Sequence, residues 1–318
     1  MNNLPVTVDE IRAAAERIRG VAYRTPVMTS RSFDSEAGIH AFFKCENLQR
    51  GGAFKIRGAA NFIFSIPKAD LSRGVVAFSS GNHAQAVAIA AGVVNTPATV
   101  VMPSYAPQSK LAATRGYGAK VIEYDQSSEP REAIAARIAE KSGATVVPPF
   151  DHPWTIAGQG TAALELLADY PDLDALLVPV GGGGLISGCA IAARSIRPDI
   201  RIFGIEPAAA NDAFLSKRAG RRVRIERTDT IADGLRSPEP GELTFPVIEQ
   251  LVEEIVLVSE DEIKSAVKFL LARMKILVEP SGAVGAAALL SGKLPPDVRT
   301  AGVILSGGNI DLEQLARF

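Results

Sequence analysis

The stretch ALLVPVGGGGLISG, residues 175–188, decides the fold. Residues 175–180 form an apolar run without polar alternation, which predicts a strand buried on both faces of a parallel sheet. Four glycines follow, and then a helix through Ala193. Such a loop leaves backbone N–H groups open to an anion, and the helix N-terminus favours the same charge. We expect a phosphate cradle here; the alternative is a flexible turn, and four ordered glycines are costly unless something binds them.

Strand-like and helical patterns alternate along the rest of the chain, which predicts an α/β architecture. A capping box at Thr7 and Glu10 opens the first helix. The further predicted strands span residues 75–78, 98–102, 120–123, 145–147, 201–205, 254–258 and 302–305. The further predicted helices span residues 84–91, 131–141, 161–168, 261–273 and 284–290. Only the region from about 219 to 246 is predicted to be rich in loops.

Composition excludes several classes of function. The 318 residues carry 34 basic and 35 acidic side chains, a net charge of -1, so we expect no binding to nucleic acid or to an anionic membrane. No apolar run reaches the roughly 18 residues of a transmembrane helix. Cys45 and Cys189 lack metal-ligand spacing, and a disulfide framework is not expected. We predict a soluble, cytoplasmic protein.

A second stretch, GAFKIRG at residues 52–58, places Lys55 where an apolar run has ended and a helix begins. A lysine amine is a poor nucleophile at its ordinary pKa of about 10.4. Burial and a nearby positive field lower that pKa, as in lysines that form Schiff bases. A surface lysine at a helix start is the alternative, and it is the better interpretation of one lysine alone.

Two more strand ends carry polar side chains. SSGNHAQ, residues 79–85, offers hydroxyl, amide and N–H groups at a helix start, suited to a carboxylate or a ring oxygen, or to an elaborate helix cap. SGGN, residues 306–309, joins a hydroxyl to two glycines that allow a flat ring to approach closely. An ordinary turn is the better interpretation of residues 306–309 alone.

Together these motifs resemble the fold-type II pyridoxal-phosphate (PLP) enzymes of the serine/threonine dehydratase, serine racemase and 3-hydroxyaspartate dehydratase group. The resemblance spans essentially the whole chain, including VEPSG at residues 278–282. It implies a fold like that of the tryptophan synthase β-subunit, with the cofactor between two open, twisted α/β domains. The large domain would comprise residues 1–73 and 152–318, and the small substrate-closing domain residues 74–151. The group is commonly homodimeric.

The resemblance also implies roles for individual residues. Lys55 would carry PLP covalently and act as the catalytic base. The other expected cofactor contacts are Phe54, Asn82, Gly181, Gly182, Gly183, Gly184, Leu185, Glu279 and Ser306. The expected substrate contacts are Ser79, Ser80, Asn82, His83 and Arg131. Ser306 would face the pyridine nitrogen, and because a neutral hydroxyl cannot keep that nitrogen protonated, loss of a β-leaving group is favoured.

A metal site and a second acid/base follow from the racemase-like branch of the group. Glu206, the carbonyl of Ala210 and Asp212 would supply hard oxygen ligands for Mg²⁺, Ca²⁺ or Mn²⁺, where the alternative is a solvated acidic loop. Ser80 would stand opposite Lys55 as the second acid/base. Ala53 replaces the usual serine before Phe-Lys, and Pro238 stands where racemases tend to have a second serine. The resemblance associates alanine at position 53 with fungal racemase-like enzymes and 3-hydroxyaspartate dehydratases, and both departures argue against serine racemisation as the main activity.

The expected activity is PLP-dependent ammonia loss from a small β-hydroxy amino acid, giving a 2-oxo acid. Serine, threonine and 3-hydroxyaspartate are the candidate substrates, and Arg131 would favour the dicarboxylate. One alternative is an amino-acid racemase that uses Lys55 and Ser80 on opposite faces. Another is a nucleotide-binding dehydrogenase or sensor, with the glycine loop on the nucleotide and Glu206 at the end of the next strand.

Overall fold

The computed structural model of the protein describes residues 4–79, 81–106, 108–125, 129–316 and 318. The β-strands of these residues are β1 (Val27–Met28), β2 (His40–Lys44), β3 (Val75–Phe78), β4 (Ala98–Pro103), β5 (Lys120–Tyr124), β6 (Thr145–Val146), β7 (Ala175–Pro179), β8 (Arg201–Pro207), β9 (Glu254–Val258) and β10 (Thr300–Ile304). The α-helices are α1 (Val8–Arg17), α2 (Arg31–Ala37), α3 (Lys55–Ser65), α4 (Lys68–Leu71), α5 (Asn82–Val93), α6 (Gln108–Gly116), α7 (Arg131–Ser142), α8 (Pro153–Asp169), α9 (Gly184–Ile196), α10 (Asp212–Ala219), α11 (Thr244–Leu251), α12 (Glu260–Phe269), α13 (Pro280–Leu290) and α14 (Leu312–Leu315).

The strands form two sheets. One has six strands in the order β1-β2-β10-β7-β8-β9, and the other has four in the order β5-β4-β3-β6. All neighbouring strands run parallel except β1, which pairs antiparallel with β2 at the edge of the larger sheet. This arrangement confirms the predicted α/β fold with two open sheets.

Burial on both faces explains why the strand sequences read as continuous apolar runs. All five residues of β7 are buried. Leu176 and Val178 pack with helices α1, α8, α9 and α11, whereas Ala175 and Leu177 pack with α2, α12 and α13 on the opposite face. Helices that cover both faces leave the ends of the strands as the accessible parts of the sheet, which is where ligands bind in open α/β folds.

The smaller sheet has its own two-sided core. Val75, Ala77 and Val100 face a cluster that also takes in Ile56 and Ile63 of α3. Val76 and Val101 face a second cluster beneath α7. Because α3 lies before residue 74, this core crosses the predicted domain boundary. The boundaries at 73/74 and 151/152 stay a prediction.

Two local features differ from the sequence predictions. The region predicted to be rich in loops contains the start of α11 and a short 3₁₀ turn, Asp233–Leu235. The predicted helix 261–273 is α-helical only to Phe269 and continues as a π-helical turn, Leu270–Met274. Lys275, with a φ of +61°, ends that turn. Among the described helices, none is both long and apolar enough to cross a membrane.

Candidate active site

Lys55 is the first residue of α3, and its segment lies against the end of β10. The backbone N–H of Phe54 donates to the carbonyl of Ser306 at 3.0 Å, and Ala53 forms a single antiparallel bridge with Gly307. Two short 3₁₀ turns separate β2 from α3, so the lysine does not follow directly on the strand as predicted. These contacts bring two of the predicted motifs, at residues 52–58 and 306–309, together.

The Lys55 side chain is partly buried at the start of α3. Its Nζ donates to the carbonyl of Pro149 at 2.9 Å and lies 5.0 Å from the centre of the Phe54 ring. Burial lowers the pKa of Lys55 from 10.5 to about 8, although the carboxyl group of Glu279 acts in the opposite direction. A larger fraction of this amine is therefore neutral near pH 8 than for an exposed lysine.

The glycine loop, residues 181–184, lies beside the segment that contains Pro149. Phe150, the residue after Pro149, occupies the space where a Cβ of Gly182 or Gly184 would lie. Gly183 has a φ of +92° and precedes α9, in which Leu185 is buried. Within the described part of the chain, the backbone N–H groups of residues 181–185 donate to no acceptor. Open N–H groups without side chains at a helix start fit a phosphate.

A polar network surrounds Asn82 at the start of α5. Its Nδ2 donates to Glu279 Oε1 at 2.7 Å, and its Oδ1 accepts from Asn309 Nδ2 at 2.9 Å. Glu279 is buried, and its Oε2 has no partner among the described residues. Burial, followed by the charge of Asp233, raises the pKa of Glu279. Ser306 Oγ lies 3.4 Å from the carbonyl of Ser281, close to this network.

His83 is a neutral, oriented side chain. Its Nε2 lies 3.0 Å from the carbonyl of Val147, and since a carbonyl only accepts, Nε2 carries the proton. Its Nδ1 is buried without a partner in the part of the chain described. Burial, and then the charge of Lys55, lower the pKa of His83 to about 3. An anionic substrate group would therefore meet an uncharged imidazole here.

The other predicted substrate contacts are Ser79, Ser80 and Arg131, and each has a different environment or lies outside the described residues. Ser79 Oγ accepts from the backbone N–H of Gly81 at 3.1 Å, and Ser80 lies outside the described residues. Arg131 is the first residue of α7; its guanidinium donates to Glu132 Oε1 at 3.0 Å and lies 5.6 Å from the Phe78 ring. Its charge contributes to the low pKa of His83, so it acts on the site electrostatically.

Lys110 is a residue of this region that sequence reasoning missed. It is buried on α6 and donates to Asp233 Oδ2 at 2.6 Å, which joins the smaller sheet's helices to the loop before α11. Burial opposes the charged amine, yet the carboxyl groups of Asp233 and Glu279 raise the pKa of Lys110. No local pattern marks a lysine for burial, because the partner lies 123 residues away.

Glu206 and Asp212 form a separate pair of buried carboxyl groups. Both are 0% exposed, and Glu206 accepts from the backbone N–H groups of Ala213 and Phe214, each at 3.0 Å. Neither oxygen of Asp212 has a partner among the described residues. Burial raises the pKa of both groups, and Asp212 raises that of Glu206 further. Unpartnered carboxylate oxygens fit a hard cation, although no cluster of three or more His, Cys, Asp or Glu side chains exists in the described residues.

The fold and the site together are typical of one class of protein: α/β enzymes that hold a phosphorylated cofactor beside a lysine of lowered pKa. Residues 18–307 match the family model described as "Pyridoxal-phosphate dependent enzyme". The chain belongs to this family, which confirms the resemblance read from the sequence and rejects the dehydrogenase alternative.

The proteins that are similar over the full chain include ammonia-lyases and serine racemases of this family. A protein from Pseudomonas sp. named "L-threo-3-hydroxyaspartate ammonia-lyase" is 49% identical, with 96% of each chain covered. A protein from Schizosaccharomyces pombe named "Serine racemase" is 47% identical over 98% of this chain and 97% of its own. The structure of maize serine racemase superposes with a TM-score of 0.95 at 46% identity, covering 98% of this chain and 96% of that one.

Proposed function

We propose that the protein is a PLP-dependent ammonia-lyase that converts a small β-hydroxy amino acid to a 2-oxo acid and ammonia. The observation that carries the proposal is the partly buried Lys55 amine, with its pKa of about 8, near a glycine loop whose backbone N–H groups donate to no acceptor among the described residues. The ammonia-lyase relative, 49% identical over nearly the full chain, supports the same reaction type.

Lys55 would hold the cofactor covalently and, once displaced by the substrate amine, would take the α-proton at Nζ. Bound PLP supplies an electron sink that makes that proton acidic and promotes loss of the β-hydroxyl. Burial suits Lys55 to this work, because a neutral amine is both the nucleophile and the base. The hydrogen bond to Pro149 fixes the amine on one side of the site.

The other residues are assigned to parts of the cofactor by the hydrogen-bonding groups and side chains that they offer. Gly181, Gly182, Gly183, Gly184 and Leu185 would bind the phosphate through backbone N–H groups. The second hydrogen of Asn82 Nδ2 would donate to the phenolic oxygen, since the first is used by Glu279. Phe54 would pack beside the ring, Ser306 would face its nitrogen, and Glu279 would border it through its unpartnered oxygen.

For the substrate, we propose a preference for 3-hydroxyaspartate over serine and threonine. Ser79, Ser80, Asn82 and His83 would surround the α-carboxylate, where the neutral His83 adds no charge. Arg131 would hold the second carboxylate with its guanidinium after releasing Glu132. The name of the Pseudomonas relative supports this choice.

We also propose that Glu206, Asp212 and the carbonyl of Ala210 bind Mg²⁺, Ca²⁺ or Mn²⁺. The support is the pair of buried carboxyl groups in which Asp212 lacks any partner in the described chain. A divalent cation would supply charge neutralisation there and would stabilise the turn between β8 and α10. No catalytic step is assigned to it.

A cytoplasmic homodimer completes the proposal. Exposed apolar side chains, Val93 at 42% and Tyr117 at 43%, line one groove with Arg50 and Ile89, which supports a contact with a second copy. The free, buried Cys45 and Cys189 are compatible with a reducing compartment. Size-exclusion chromatography with light scattering tests the dimer: a monomer at micromolar concentration would contradict it.

A substrate panel tests the reaction. Purified holoenzyme is incubated with the stereoisomers of serine, threonine and 3-hydroxyaspartate, and 2-oxo acid and substrate enantiomer are measured separately. We expect 2-oxo acid and ammonia in equal amounts from a β-hydroxy amino acid. The alternative function, racemisation, is favoured by the 47% identical protein named serine racemase. Enantiomer formation that exceeds 2-oxo acid formation on every substrate would replace the lyase with the racemase.

A further inference from the structure

The hydroxyl group of Thr244 lies behind the glycine loop. Thr244 is the first residue of α11 and is 0% exposed. Its Oγ1 donates to the carbonyl of Gly182 at 2.7 Å, and the backbone N–H of Gly241 donates to the same carbonyl at 3.2 Å. A Cβ on Gly183 would lie 2.6 Å from that hydroxyl. Thr244 therefore contacts the loop from the side opposite its open N–H groups.

These contacts fix the direction of one peptide unit. In a trans peptide the C=O and the following N–H point in opposite directions, and the described chain has no cis bond. Because the Gly182 carbonyl points to Thr244 and Gly241, the Gly183 N–H points away from α11. Glycine on both sides of this peptide leaves little else to hold its orientation.

The side chain of Asp151 holds the start of α11 in place. Asp151 accepts from the backbone N–H groups of Glu242 at 2.8 Å and Leu243 at 2.9 Å. It thus caps a helix that has no side-chain cap of its own. Asp151 directly follows Phe150, whose ring fills the space where a Cβ of Gly182 would lie and whose Cβ and backbone fill the space beside Gly184. One short segment therefore supports both the loop and the helix that orients it.

We propose that Thr244 is a positioning residue for the phosphate cradle: its hydroxyl orients the Gly182–Gly183 peptide so that the Gly183 N–H is aimed at the cofactor phosphate. The inference rests on the proposed function, because it requires that the glycine loop bind that phosphate. It assigns Thr244 no contact with the cofactor or the substrate.

The test compares two probes that differ only in the phosphate. PLP is removed from the holoenzymes of wild type, Thr244→Val and Thr244→Ser, and dissociation constants for PLP and for pyridoxal are measured by absorbance titration. Thr244→Val removes the donor at nearly constant volume, and we expect a rise of about tenfold in the constant for PLP. The constant for pyridoxal should not change. Thr244→Ser keeps the hydroxyl and should restore wild-type affinity for PLP.

Thr114→Val is the matched control. Thr114 is also 0% exposed and donates from Oγ1 to a backbone carbonyl, that of Lys110 at 2.8 Å, but lies on α6. It should lose comparable stability without changing the ratio of the two constants. Asp151→Asn serves as a milder second variant, with a smaller loss confined to PLP. Equal effects of Thr244→Val on both probes, or no effect on PLP, would overturn the inference. If the wild type bound pyridoxal as tightly as PLP, the glycine loop would not bind the phosphate, and both that assignment and the inference about Thr244 would be wrong.

Discussion

Replacing Gly183 by alanine tests whether the glycine loop, residues 181–184, binds the phosphate of the cofactor. Gly183 has a φ of +92°, where a non-glycine residue costs about 1–2 kcal/mol. The new Cβ would also lie 2.6 Å from Thr244 Oγ1 and 3.1 Å from Ile248 Cδ1, and such overpacking costs about 1–3 kcal/mol. We expect Gly183→Ala to lower the free energy of unfolding by about 2–5 kcal/mol, the sum of these two costs. Movement of the loop should weaken PLP binding by about tenfold or more.

Gly20→Ala is the control that separates the cost of a positive φ from the cost of the steric contacts. Gly20 has a similar φ of +82°, but no atom of the described residues lies within 4 Å of an added Cβ. It should therefore show only the backbone cost, about 1–2 kcal/mol, with unchanged affinity for PLP. Urea unfolding and PLP titration of both variants are the assays. If Gly183→Ala bound PLP as tightly as Gly20→Ala does, the loop would not be the cofactor's phosphate site.

The remaining predictions concern pH, metal and substrate. The rate at which the cofactor-free protein takes up PLP should rise with pH and level off above about 8, since only the neutral Lys55 amine reacts; a rise continuing towards pH 10 would contradict the lowered pKa. Chelation should lower the melting temperature of the wild type, because the stabilisation from a cation bound by Glu206 and Asp212 is lost, and Mg²⁺, Ca²⁺ or Mn²⁺ should restore it. Asp212→Asn should melt at the same temperature with and without chelator, and an unchanged wild type after confirmed metal removal would exclude the site. Arg131→Ala should cost about 2–3 kcal/mol in kcat/KM for 3-hydroxyaspartate but little for serine. Arg137→Ala, on the same helix, is its control, and equal losses on both substrates would make Arg131 structural.

Sequence patterns predicted the elements that depend on local chemistry. The buried strands read as apolar runs because both faces are covered, and β3 and β9 match their predicted limits. The capping box at Thr7 and Glu10 is formed, since both of its hydrogen bonds are local. The start of α11 was missed because Pro246 and the prolines before it indicate a loop. A proline in the first turn of a helix is tolerated, since its missing N–H would have no partner there.

Long-range contacts could not be predicted in this way. Arg57, only 1% exposed, donates to Glu46 at 2.7 Å and to Glu165 at 2.7 Å, yet its sequence context does not distinguish it from a surface arginine. The same holds for the cap that Asp151 provides to α11, 91 and 92 residues along the chain. Burial of a charge depends on partners that only the fold brings together. The lowered pKa of Lys55 was predictable in direction because removal from water opposes a charged amine.

The most direct test of the central claim is the formation of 2-oxo acid by wild type and by Lys55→Ala. Both proteins are saturated with PLP, their cofactor content is measured, and each is assayed with L-threo-3-hydroxyaspartate, serine and threonine. We expect wild type to release 2-oxo acid and ammonia from at least one of these substrates. Lys55→Ala should keep PLP through the glycine loop but lose activity by on the order of a thousandfold or more, because the base is absent. A Lys55→Ala protein that keeps more than a small fraction of wild-type activity would contradict the account.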